Sequence, residues 1–100
     1  MVMFWDVEFK KRAKKQARDI PVEIQERLFA LVLEIRSLGP ARSAWRNYGK
    51  IKGKKDCYHC HLKKGKPTYV AIWKVMDKEN KLVEVRYVGT HENADYGRIC

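Results

Sequence analysis

Three stretches in the second half of the chain alternate between apolar and polar residues, and this alternation constrains the fold more than any other feature. The stretches are residues 57–63, 68–76 and 82–88. A period of two residues is typical of strands with one buried face. Short turns at Lys64–Pro67 and Asp77–Asn80 separate the stretches. Because short turns join antiparallel strands, the sequence predicts a three-stranded antiparallel meander.

The N-terminal residues predict one more strand and a first helix. Met1–Trp5 is a short apolar run, which indicates a strand. Asp6 is a suitable N-cap for a helix that continues to about Arg18. The apolar positions of this helix, which include Phe9, recur every four residues and form a narrow stripe. We therefore expect the first helix to lie at the periphery of the domain.

A second helix is predicted between Pro21, which suits a first turn, and Gly39-Pro40, which ends a helix. Its apolar residues follow helical spacing and form a broad stripe: Ile24, Leu28, Leu31, Val32, Ile35 and Leu38. Such a stripe indicates the main helix that packs on the sheet. The whole chain, residues 1–100, is therefore predicted to be a single α+β domain. In it a strand, two helices and a three-stranded antiparallel meander form one sheet, with both helices on one face.

The positive charge of the chain is concentrated in two segments. The net charge is +10, yet everything outside residues 10–18 and 41–66 sums to −4. Localised charge of this kind indicates a polyphosphate partner, most often nucleic acid. The expected phosphate-binding lysines lie on the first helix and in a loop at residues 50–55 that we expect to be mobile: Lys10, Lys11, Lys14, Lys15, Lys52, Lys54 and Lys55. The sequence shows no apolar run of membrane-spanning length and no signal pattern, so we expect a cytoplasmic protein without a membrane role.

The cysteines do not predict a disulfide or a cofactor. Three is an odd number, and without a secretory signal a disulfide framework is not expected. Residues 57–61 match the haem-attachment string C-x-x-C-H, but strand alternation points Cys57 and Cys60 to opposite faces. A zinc site also lacks a second ligand pair. We therefore expect no metal and no cofactor, and we assign no role to Cys100.

All three histidines occur in two short segments that fit proton transfer. Alternation puts His59, His61 and Lys63 on one face of a strand, and His91 and Tyr96 follow the last strand. Carboxylate pairs for a catalytic magnesium ion are missing from the basic segments. Metal-free RNA cleavage fits this inventory: a base activates the 2′-hydroxyl, an acid protonates the leaving 5′-oxygen, and cations stabilise the phosphorane.

These segments, together with the order of elements, resemble the RelE/ParE superfamily of type II toxins. Residues 58–63 stand where RelE has an alternating pair of catalytic lysines, and Val88–His91 stands where it has Val-Gly-Lys-Arg, ending in a catalytic residue. Tyr96 falls near the position of the RelE C-terminal tyrosine. The histidine-rich version is similar to YafQ-like members.

The resemblance implies a ribosome-dependent mRNA endoribonuclease that an antitoxin neutralises. It implies a catalytic set on this chain: His59, His61, Lys63, His91 and Tyr96. RelE has a catalytic arginine on the middle strand where this chain has Val70. Lys64, Lys66 and Arg86 are the expected phosphate-binding residues that could replace it.

Two other function classes remain open. A ParE-like toxin would inhibit DNA gyrase without catalysis, but such relatives generally lack a catalytic basic and histidine set. A plain RNA-binding module would expose stacking aromatics on its strands. Here Tyr58, Tyr69 and Trp73 fall on the predicted core face, which disfavours that class.

Overall fold

The computed structural model describes residues 4–100, and this part of the chain contains a five-stranded mixed sheet and three α-helices. The strands follow the order β1-β5-β4-β3-β2 across the sheet. Their bounds are β1 Asp6–Phe9, β2 Gly49–Lys50, β3 Cys57–Lys63, β4 Tyr69–Asp77 and β5 Leu82–Thr90. The helices are α1 Lys11–Asp19, α2 Val22–Leu38 and α3 Tyr96–Ile99, and a 3₁₀ helix spans His91–Asn93.

The predicted meander and the α+β class are confirmed. Strands β3, β4 and β5 pair antiparallel in sequence order, whereas β1 pairs parallel to β5 at the sheet edge. Both long helices pack on the same face, whose buried side chains include Ala13, Leu28 and Trp73. We call this the helix face; from the strands it also contains Cys60, Leu62, Ala71, Val75, Val83, Val85 and Val88.

The predicted boundary between the first strand and the first helix is wrong. Met1 to Met3 lie outside the described residues, and the strand begins only at Asp6. The Asp6 amide donates to the Lys81 carbonyl, and residues 6–9 pair with β5, so Asp6 is no helix cap. Phe9 packs on the core from this strand, and α1 starts at Lys11. Pairing with β5 satisfies backbone groups that local helix signals cannot anticipate.

Helix α2 is the main packing helix, as predicted, with two differences. Its buried residues are Ile24, Leu28, Leu31 and Ile35. Val32 is only partly buried against the core, and Leu38 is exposed because it lies in the last turn of the helix. No helix among residues 4–100 is long and apolar enough to cross a membrane.

The loop expected at residues 50–55 begins within a short strand and continues with a buried residue. Gly49 and Lys50 form the edge strand β2, which pairs with His59 and Tyr58 of β3. Ile51 is buried, and its amide donates to the Cys57 carbonyl at 2.9 Å. Lys52, Lys54 and Lys55 remain exposed in the turn that joins β2 to β3.

The C-terminal segment covers part of the sheet face opposite the helices, which the sequence did not predict. Buried side chains there form a second, smaller cluster with α3: Ile51, Cys57, Val70, Ile72 and Tyr87. A disulfide joins Cys57 to Cys100, so the expectation of no disulfide is wrong. The odd cysteine is Cys60, which is buried on the helix face. The disulfide and this cluster attach α3 to the sheet beside the histidines.

Candidate active site

The three histidines and Tyr96 gather on the sheet face opposite the helices, which we call the histidine face. The ring centres of His61 and His91 lie 5.6 Å apart, and those of His59 and Tyr96 lie 5.4 Å apart. The ring centre of Tyr96 also lies 6.1 Å from that of His91. Four of the five predicted catalytic side chains therefore form one cluster, although they come from β3, the 3₁₀ helix and α3.

Backbone hydrogen bonds fix the positions of His61 and His91. The His61 amide donates to the Arg46 carbonyl at 2.8 Å, and the His91 amide donates to the Thr68 carbonyl at 2.8 Å. In the sheet register, His61 lies opposite Val70. These contacts hold His61 and His91 against neighbouring parts of the sheet, so their separation depends on the backbone rather than on side-chain rotamers alone.

A β-bulge at Arg86 turns Tyr87 onto the histidine face. Ile72 pairs with Tyr87 and Trp73 pairs with Val85, so Arg86 has no partner in the register. Uninterrupted alternation along residues 82–88 would put Tyr87 on the same face as Val83 and Val85, and the bulge puts it on the opposite face. The Tyr87 hydroxyl donates to the Thr90 carbonyl at 2.8 Å, directly before His91. Tyr87 therefore supports the backbone that carries His91.

The surroundings of His59 and His61 favour the neutral form of these two rings. Burial, followed by the charges of His61 and His91, lowers the pKa of His59. Burial, followed by the charges of His91 and Arg46, lowers the pKa of His61. Nδ1 of His59 is buried without a hydrogen-bond partner among the described residues. A neutral His61 is suited to accept a proton.

Lys63 is not brought into the cluster. The β3–β4 register shifts between His61 and Lys63, so Lys63 lies opposite Tyr69, whose side chain packs on the helix-face core. Its Nζ lies 3.9 Å from Glu23 Oε2 of α2. Strand alternation predicted Lys63 beside His61, and the bulge reverses its face.

The other predicted cations lie around the cluster or away from it. Lys64 and Lys66 are exposed in the β3–β4 turn. The Arg86 side chain forms contacts within the protein, and its Nη1 donates to the Ile99 carbonyl at 3.3 Å. Its Nε lies 3.1 Å from Glu84 Oε1, so Arg86 is also paired with a carboxylate. The exposed lysines of the α1 region lie on or next to a helix that packs on the opposite face: Lys10, Lys11, Lys14 and Lys15.

Arg46 is the cation beside the histidines that the sequence analysis missed. Val70, at the position of the arginine expected from the resemblance, is fully buried and forms an apolar floor under the cluster. Arg46 follows Trp45 in the long connection after α2; its carbonyl accepts from the His61 amide, and its positive charge contributes to the lowered pKa of His61. The sequence shows that Arg46 lies in a basic segment with aromatic residues, but it does not show that this segment contacts β3 at His61.

The remaining residues restrict the chemistry of the site. Among residues 4–100, no group of three or more histidine, cysteine or acidic side chains could hold a metal ion. Trp73 is fully buried, and Tyr58 and Tyr69 pack against the helix-face core, as predicted. These three aromatic side chains therefore pack in the core and are not positioned to stack on nucleic-acid bases.

The fold matches those of solved toxin structures. A mutant of the E. coli toxin RelE in the free state superposes with a TM-score of 0.72 at 28% identity, covering 92% of this chain and 88% of that chain. The E. coli RelBE toxin–antitoxin complex gives a TM-score of 0.65 at 28% identity, covering 90% and 99%. The archaeal RelE–RelB complex from Pyrococcus horikoshii gives 0.71 at 18% identity, covering 92% and 100%, and at that identity it supports the fold alone.

Sequence comparison by itself is less informative. No protein-family model matches the chain, and no curated protein matches it. The structural likenesses nevertheless extend over about nine-tenths of the chain. The structural neighbours support assignment of this chain to the RelE-like toxin superfamily.

Proposed function

We propose that this protein is a ribosome-dependent mRNA endoribonuclease that cleaves by attack of the RNA 2′-hydroxyl, without a metal. The observation that carries the proposal is the cluster of His59, His61, His91 and Tyr96 on one exposed side of the sheet. Two histidines whose ring centres lie 5.6 Å apart can serve the two oxygens of one phosphodiester, one on each side.

In this mechanism His61 is the general base. Its lowered pKa keeps the ring neutral near pH 7, so it can take the proton of the 2′-hydroxyl as that oxygen attacks phosphorus. His91 is the general acid and protonates the leaving 5′-oxygen. The bond between phosphorus and that oxygen breaks, and the products carry a 2′,3′-cyclic phosphate and a 5′-hydroxyl.

His59 and Tyr96 have supporting roles. The lowered pKa of His59 makes it a poor fixed cation, so we assign it to positioning Tyr96, with which it packs edge to face. Tyr96 is half-buried and has a raised pKa, mainly because of burial, so it remains a neutral phenol. An aromatic ring at this place can stack on or orient a base.

The substrate requires a cationic approach surface, which the lysines of α1 and of the β2–β3 turn supply. We propose that these exposed lysines contact ribosomal RNA phosphates while the histidine face meets the mRNA. Ordinary phosphate contacts of this kind position a protein without reading sequence. A ribosomal substrate places the protein in the cytoplasm.

We further propose an antitoxin partner, as in the two toxin–antitoxin complexes that share this fold. Large apolar side chains are exposed on α2 and are available to such a partner: Val22, Phe29, Leu33 and Leu38. Expression of the protein alone should arrest bacterial growth, and co-expression of a small acidic protein encoded beside it should restore growth. Free growth with intact expression would contradict the toxin function.

Primer extension on ribosome-bound mRNA tests the activity directly. The parent protein should produce new 5′ ends, and His61→Ala and His91→Ala should each lose roughly 10²-fold or more in single-turnover rate. Both variants should bind ribosomes nearly as well as the parent. Inhibition of gyrase supercoiling with intact mRNA would favour the ParE-like alternative and contradict the nuclease.

A further inference from the structure

A cleft of about 700 Å³ opens beside His61, between α2, the segment around Trp45 and the end of β3. Its volume lies in the range typical of ligand sites. His61 forms part of its wall, so the cleft is continuous with the histidine cluster. His91 and Tyr96 do not line the cleft; the ring centre of His91 lies 5.6 Å from that of His61 and 6.1 Å from that of Tyr96. An extended ligand that crosses His61 therefore reaches Tyr96 at one end and the cleft at the other.

The cleft is basic, and part of its charge is free. Four cationic side chains line it against a single carboxylate: Arg27, Arg46, Lys63 and Lys64 against Glu34. Arg27 and Lys63 are each held near Glu23, at 3.3 and 3.9 Å. Neither Arg46 nor Lys64 forms an ion pair within residues 4–100. These two are available to an anion.

The carboxylate in the cleft is already engaged. Glu34 Oε1 accepts from Trp45 Nε1 at 3.0 Å and from Arg42 Nη1 at 3.3 Å. This pairing offsets the negative charge of Glu34 and fixes the Trp45 indole on the cleft wall. An aromatic wall beside two free cations is the arrangement that holds a base and its phosphate in single-stranded nucleic acid sites.

We propose that this cleft binds the RNA nucleotide next to the scissile phosphate, with Arg46 and Lys64 on its phosphate and Trp45 against its base. The proposal rests on the proposed nuclease function and adds a second subsite to it. It assigns Arg46 to the phosphate that flanks the reacting one. The guanidinium fork suits this role because it can donate two hydrogen bonds to one phosphate.

Binding can be measured without cleavage, using an RNA trinucleotide with a 2′-deoxy sugar at the scissile position. The chain has three tryptophans, so its indole N–H signals give three NMR reporters. Titration should shift the Trp45 signal in a saturable way and leave that of Trp73, which is buried and donates to the Pro40 carbonyl, unchanged. Shifts at Tyr96 and His91 with no change at Trp45 would overturn the cleft assignment.

Removing charge from the protein, and separately from the RNA, tests whether Arg46 and Lys64 contact the flanking phosphate. Arg46→Ala and Lys64→Ala should each weaken trinucleotide binding roughly tenfold, and Arg36→Ala, an exposed arginine of α2 outside the cleft, should not. The loss in Arg46→Ala should disappear when an uncharged methylphosphonate replaces the flanking phosphate. An equal loss with the methylphosphonate would show that Arg46 does not contact that group and would overturn the proposal.

Two further results separate this proposal from the proposed function. Binding at Trp45 without cleavage on ribosomes would support the cleft as an RNA site and contradict the proposed nuclease function. Cleavage that is unaffected by Arg46→Ala and Lys64→Ala would support the nuclease function and contradict the cleft as an RNA site. An acidic peptide such as oligoglutamate that shifts Trp45 when the trinucleotide does not would identify a protein-binding cleft and overturn the RNA assignment.

Discussion

Replacement of Gly89 by alanine should disable the site through Tyr87. A Cβ atom at residue 89 would lie 2.8 Å from the Tyr87 hydroxyl oxygen and 3.0 Å from Cζ of the same ring. Contacts this close force the ring to move. The Tyr87 hydroxyl would then lose its 2.8 Å hydrogen bond to the Thr90 carbonyl, which supports the start of the His91 segment.

The loss of folding free energy in Gly89→Ala has two parts. Loss of the hydrogen bond costs about 1 kcal/mol, and overpacking of a buried ring costs about 1–3 kcal/mol. In a domain of this size each kcal/mol lowers Tm by about 4–8 °C. Displacement of His91 by about 1 Å should reduce the cleavage rate by roughly 10²-fold, a much larger effect than the loss of folded protein.

Thermal unfolding and single-turnover cleavage, measured on the same samples, check both parts. Gly97→Ala is the matched control, because its Cβ would meet only Asp95 Oδ1 at 3.6 Å, an ordinary contact. In a Tyr87→Phe background the nearest atom is absent, so Gly89→Ala should cost less there than in the parent. Full activity and unchanged Tm in Gly89→Ala would refute the reasoning, as would equal losses in the Gly97→Ala control.

Three further predictions follow from the charge, the pKa shifts and the disulfide. Alanine at four α1-region lysines should weaken ribosome binding and flatten its salt dependence, measured between 50 and 200 mM salt; unchanged binding would contradict a phosphate contact. These lysines are Lys10, Lys11, Lys14 and Lys15. Because the pKa of His59 is lowered in the folded state, the unfolded chain binds more protons as pH falls below about 6.5. Stability should therefore fall in that window, and His59→Gln should reduce the fall in denaturant titrations; an identical pH dependence in both proteins would exclude His59 as its source. Without reductant, denatured protein should show one free thiol, Cys60, and Cys100→Ser should lose up to about 4 kcal/mol of stability for a 43-residue separation; three free thiols would contradict the disulfide.

The sequence predicted elements whose signal is local. Alternation located β3, β4 and β5 to within two residues, and helical spacing located the buried stripe of α2. The start of α1 was wrong because a parallel partner strand, 76 residues away in register, takes Asp6 into the sheet. A residue pattern does not show which distant strand will pair with it.

The site was predicted in part for the same reason. His59 and His61 were placed correctly because they share the period of β3, and His91 and Tyr96 because they follow β5. Lys63 and Tyr87 were placed on the wrong faces because each follows a bulge, and one extra residue reverses every later side chain. Arg46 was missed because it reaches His61 through a backbone hydrogen bond across the β2–β3 region.

The measurement that tests the central claim most directly is the chemical identity of the new RNA ends. Ribosome-bound mRNA, incubated with the protein, should yield 2′,3′-cyclic phosphate and 5′-hydroxyl ends, resolved by mass spectrometry. His91→Ala should form them roughly 10²-fold more slowly, with a folded structure and retained RNA binding. Fragments with 3′-hydroxyl ends, or full activity of His91→Ala, would contradict the account.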